Sequence, residues 1–240
     1  MTAVIRIFWA PAALSIAVIG SFLYLSGMSD YLVWGKTVTI LKENIPSFFF
    51  VWFFLIWILT AIISAWGVTT WHRYILLEEF TSGFIPRFDI NLAVGYVLRL
   101  FLLGIIFLAI AIPTGFVLMN VAQVIWPVAL AGLVFVLVLV GVAFLRWSLV
   151  LPAFAVDKAM GLSEGWNAWS RIHNPGRTAL GLIFFYMMFQ LIVSFAINLL
   201  QFIPPIHGIL SLALQVFLAI LNISILTTVY GYVVEKRELT

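Results

Sequence analysis

Apolar stretches at 45–71, 98–118, 128–145, 179–203 and 209–234 dominate this chain. Each is long enough to cross a hydrocarbon core of about 30 Å as a helix rising about 1.5 Å per residue. In lipid the backbone must satisfy its own hydrogen bonds, so runs like these fold as helices or not at all. With 65% hydrophobic and 9% charged residues and a mean hydropathy of +1.20, bulk water is excluded as the main solvent.

The remaining segments of the 240 residues are too short to bury a soluble core, so a single integral membrane domain, 1–240, is expected. The fold class is all-α, a polytopic transmembrane helical bundle with a short cytoplasmic interfacial helix. Six spans are expected, at 7–27, 46–71, 94–118, 127–151, 179–203 and 209–233. Arg6 precedes a run from Ile7 to about Leu25, longer than the roughly 7–15 residues of a signal-peptide core and without a small-x-small cleavage site, so it reads as an uncleaved first span. Pro46 and Pro127 mark helix starts, while Pro113 with Gly115 marks a kink or early end. Pro204, Pro205, Ile206, His207 and Gly208 read as the tight turn of an antiparallel hairpin. The absence of cysteine excludes disulfides, thiolate metal sites and cysteine nucleophiles.

Arg6, Arg73, Arg87, Arg99, Arg146, Lys158, Arg171, Arg177, Lys236 and Arg237 fall on one side of this topology, and Lys36 and Lys42 on the other. The bias predicts both termini in the cytoplasm of a bacterial-type inner membrane. The formal charge of +3 therefore belongs to membrane edges and does not imply nucleic acid.

The second cytoplasmic connection offers a short amphipathic helix with Ser163 as N-cap and Glu164 in its electropositive first turn. Leu162, Trp166, Trp169 and Ile172 recur on one face, which suits a helix in the headgroup region or one packed beneath the spans. Arg73-Tyr74 and Arg146-Trp147 stand at equivalent span ends, either as a weak internal repeat or as ordinary membrane-edge pairs.

From Arg146, through Pro152, Asp157 and the 163–170 segment, to Arg171, the chain resembles a broad group of bacterial six-span proteins. The group includes the membrane domain of some glycerophosphodiester phosphodiesterases and several inner-membrane families. The resemblance covers about 35 residues closely and implies an architecture only, because no phosphodiesterase domain is present to carry hydrolytic residues.

Polar residues inside the spans are the chief candidates for function. Gln190, Ser194, Asn198 and Gln201 share one helical stripe, as do Ser211, Gln215 and Asn222. Counted outward from Ile206, the expected pairs are Gln201 with Ser211, Asn198 with Gln215, and Gln190 with Asn222. Such stripes serve as hydrogen-bonded glue or line a polar passage. No carboxylate lies near mid-membrane, which argues against an ion-coupled transporter. Arg99 is either a membrane-edge residue or, if Asp89 caps its helix, about 15 Å into the span. His72, Glu78, Glu79 and His173 lack metal-ligand spacing and read as surface groups. Repeats of Ala13, Ala17 and Ser21, and of Ala61 with Ala65, predict close helix approach.

The expected protein is not an enzyme, needs no cofactor or metal, and binds membrane lipids or another membrane protein as an accessory component. Arg73, Arg99, Arg146, Trp166, Trp169, Arg171 and Arg177 are its candidate contacts. The competing expectation is an uncoupled, channel-like carrier using the polar stripes.

Overall fold

The structure, a computed structural model, describes residues 3–25, 49–79, 83, 85–172, 174–202 and 204–237. The outer connection at 28–45, with Lys36 and Lys42, lies outside the described residues, as do Thr81, Ser82 and His173. Among the described residues the chain forms helices and turns, and six helices are long and apolar enough to cross a membrane. The protein is an all-α, multi-pass membrane protein.

The chain divides into two compact units, Met1–Leu98 and Arg99–Thr240. In the first, α1 (Ala3–Leu25) packs antiparallel on α2 (Phe49–Leu76). On α1 the seam is not the small-residue stripe expected from sequence, because Ala13, Ala17 and Ser21 face outward, whereas Ala65 of the α2 repeat is buried. The helices meet where Phe8 and Pro11 face Gly67, with Ile7, Ala10 and Ala65 buried nearby along the two helices. A Cβ on Gly67 would stand 3.0 Å from the Phe8 ring and 3.3 Å from Pro11, so bare backbone is what lets the helices meet there. Trp71 completes the seam against Phe8, with ring centroids 5.8 Å apart.

Beyond α2 the first connection is tied back at several points. Arg73 donates from Nε and a terminal nitrogen to both carboxylate oxygens of Glu79, each at 2.8 Å. The Trp66 indole donates to the carbonyl of Arg87 at 3.1 Å. Asp89 caps α3 (Ile90–Val124) by accepting the Asn91 and Leu92 amides at 3.0 and 3.1 Å. His72, expected as a surface group, is fully buried with its Nε2 3.3 Å from the Tyr96 hydroxyl. It lies one turn inside the end of α2, where the seam already excludes solvent.

Helix α3 begins in the first unit and runs through Pro113 without ending, so of the expected kink or early end the early end is excluded. Proline removes one backbone donor, and the rest of the ladder carries the helix across it. The expected joint before the fourth span shrinks to Ile125, whose φ of −141° breaks the helix. Helix α4 (Trp126–Trp147) starts at once because Pro127 occupies its first turn, where an amide donor is not needed.

In the second unit α4 gives way, through Ser148 and Leu149, to the short buried helix α5 (Val150–Ala155), then α6 (Leu162–Ala168) and a 3-10 turn (Trp169–Arg171). Helices α7 (Pro175–Asn198) and α8 (Pro204–Val233) form the closing hairpin. The proline pair expected in the turn lies inside the first turn of α8, so the turn falls three to five residues earlier than the sequence implies.

Candidate functional site

The shifted turn resets the register of the polar stripes. The Asn222 amide donates to the Tyr186 hydroxyl at 2.7 Å, the Phe189 and Phe217 rings lie 6.0 Å apart, and His207 Nε2 is 3.2 Å from Asn198 Oδ1. These pairs place the hairpin midpoint near position 203 instead of 206. Asn198 therefore meets His207, not Gln215, and Asn222 meets Tyr186, one turn from Gln190. Gln190 becomes level with Gln215, and both are exposed. Gln201 leaves the stripe altogether, because α7 has ended and its amide closes a turn onto the Asn198 carbonyl at 3.2 Å. Ser194 and Ser211 are half-buried on their helices.

The other candidate lies where α4 ends. Arg146 occupies the last turn of α4, and its guanidinium carbon stands 4.4 Å from the centroid of the Trp166 ring. A cation on an indole face is favourable by roughly 0.5–2 kcal/mol, rising as water is excluded. Trp147 packs on the same indole at 5.8 Å. Helix α6 can lie this close because Gly165 faces α4, where an added Cβ would sit 3.1 Å from the Arg146 carbonyl oxygen.

The local sequence explains how α6 is held. Gly161 takes the cap position with extended backbone, and its amide donates to the Glu164 carboxylate at 3.0 Å. Ser163, the cap expected from sequence, is inside the helix. The helix then tightens after Ala168, so Ile172 leaves the expected stripe and adopts an extended conformation. The two tryptophans part company: Trp166 is 39% exposed, whereas Trp169 is 1% exposed and buried within the unit. Trp169 is therefore not a headgroup anchor. The Arg171 side chain lies outside the described residues.

The depth of Arg99 follows from its neighbours. Phe107 packs against Phe144 and Trp147 at 5.4 and 5.8 Å, which levels it with the last turn of α4. Arg99 is eight residues, about 12 Å, nearer the start of α3. It thus lies beyond the end of α4 and level with α5, where its guanidinium carbon is 3.5 Å from the Phe154 ring centroid. Asp89 does cap the helix, so Arg99 stands nine residues, about 14 Å, along α3. Sequence reasoning could not supply the contact with Phe154, because the signal is a ring on another element.

The remaining cations differ in their partners. Lys158 and Arg237 both pair with Glu235, at 2.7 and 2.8 Å. Arg73 pairs with Glu79, and Arg177 is exposed in the first turn of α7. Among the described residues no three histidine or acidic side chains gather in a way that could hold a metal ion. No protein-family model, curated protein or solved structure matches the chain.

Proposed function

We propose that the protein is a non-catalytic, accessory component of a bacterial-type inner membrane, with both termini cytoplasmic, that binds lipid headgroups or a membrane-protein partner. The observation that carries this reading is the pair of guanidinium groups laid on aromatic rings, Arg146 on Trp166 in the last turn of α4 and Arg99 on Phe154 level with α5. Cations held at that depth attract anionic groups at the membrane surface. Arg73 in the last turn of α2, within the first unit, and Arg177 in the first turn of α7, within the second, are further cations at helix ends, and the resemblance of the 146–171 segment to six-span inner-membrane proteins supports the same architecture. The test is extraction of the protein with its surrounding lipid in a membrane-solubilising polymer, followed by identification of what accompanies it. Enriched anionic phospholipid or a stoichiometric membrane protein is the expected result; bulk lipid composition with no partner would contradict it.

A second reading, an uncoupled carrier, draws on Gln190 and Gln215, exposed amides at one depth of the hairpin. Reconstitution distinguishes the two. A carrier gives saturable leakage of a small polar solute from vesicles, abolished by Gln190→Leu with Gln215→Leu.

A further inference from the structure

The cation at the junction of α4 and α6 lacks an ion-pair partner among the described residues. Arg146 is half-buried, its Nε is screened from solvent, and that atom makes no hydrogen bond among the described residues. The guanidinium has no carboxylate within ion-pair distance there either, unlike Arg73, Lys158 and Arg237. A partly desolvated cation without a counter-ion is costly, as is a buried donor without an acceptor. The location says what fits. From Trp126 to Arg146 the helix rises about 30 Å, the thickness of a hydrocarbon core, and tryptophans stand at both ends. Arg146 therefore falls at the level of lipid phosphates.

We propose that the α4–α6 junction is a binding site for the phosphodiester of an anionic phospholipid, with Arg146 as its charged ligand and Trp166 as the platform that holds the guanidinium flat. The planar fork of arginine matches two phosphate oxygens, which an ammonium does not. The assignment deepens the lipid-binding reading and rests on it. A protein carboxylate would satisfy the same charge, but the depth of Arg146 and the flanking tryptophans favour lipid.

The test is native mass spectrometry of the full chain in mild detergent, titrated with short-chain phosphatidylglycerol, phosphatidylcholine or inorganic phosphate. The wild type should retain phosphatidylglycerol in preference to phosphatidylcholine. Arg146→Gln should weaken retention by about tenfold or more, and Arg146→Lys should recover only part of it. Lys236→Gln, which removes an exposed positive charge elsewhere, should change it less than about twofold. Circular dichroism and thermal melting establish that each variant is folded. Competition by millimolar inorganic phosphate would identify a site for the free ion, and its absence a site for the lipid. Retention unchanged in Arg146→Gln, with the wild type binding, would overturn this site and leave the broader reading standing. No retention by the wild type would overturn both the site and the lipid-binding reading, and a co-purifying protein lost in Arg146→Gln would assign the cation to a protein carboxylate.

Discussion

His207 Nε2 lies 3.2 Å from Asn198 Oδ1, which joins the start of α8 to the end of α7 across the hairpin turn. An interhelical hydrogen bond of this kind contributes on the order of 0.6–2 kcal/mol in a membrane protein. The contact also fixes which residues meet along the rest of the hairpin.

The chain has no cysteine, so disulfide trapping reads that register directly. Asn198→Cys with His207→Cys should cross-link readily, and Asn198→Cys with Gln215→Cys should not, because disulfides need Cα atoms within about 7 Å. Efficient cross-linking of the second pair would restore the register centred on Ile206.

Gly67 gives a separate test in the first unit. Gly67→Leu should destabilise the α1–α2 seam by about 1–3 kcal/mol, because its side chain must displace Phe8 and Pro11. Gly104→Leu is the control, since nothing lies within 4 Å of a Cβ placed there. Thermal melting of both variants in one detergent provides the comparison, and equal melting temperatures would contradict the seam.

The first connection should depend on Trp66. Trp66→Phe removes the bond to the Arg87 carbonyl at a cost of about 1 kcal/mol, and amide exchange over 85–89 should quicken. Unchanged exchange would mean the connection is held elsewhere.

Much of the fold was legible because hydrocarbon leaves little choice. Runs such as 209–234 can only be helices, and their number follows from length and polarity. Helix ends were less legible. Pro204 and Pro205 are as compatible with the first turn of a helix as with a loop, and the structure takes the first option. Ser163 is a good cap by residue type, yet Glu164 reaching back to Gly161 decides the start of α6. The basic residues of the rim were legible, but their surroundings were not. The burial of Trp169 and the stacking of Arg99 depend on Phe154, Gly165 and the end of α4, which sequence spacing does not bring together.

The proposed orientation, with both termini cytoplasmic, rests on the asymmetry of lysine and arginine. Glu79→Cys and Lys158→Cys should react with an impermeant maleimide only after the membrane is breached, and His207→Cys should lie on the opposite side. Labelling of all three in intact cells would contradict the orientation.

The most direct test of the central claim is the lipid composition carried by the wild type and by the Arg99→Gln, Arg146→Gln double variant, both extracted in polymer-bounded discs from the same cells. If the aromatic-stacked cations recruit anionic headgroups, the wild type should carry several-fold more anionic phospholipid than the bulk membrane, and the double variant should fall back toward the bulk value. Equal composition in both discs, with no partner protein lost from the variant, would contradict it.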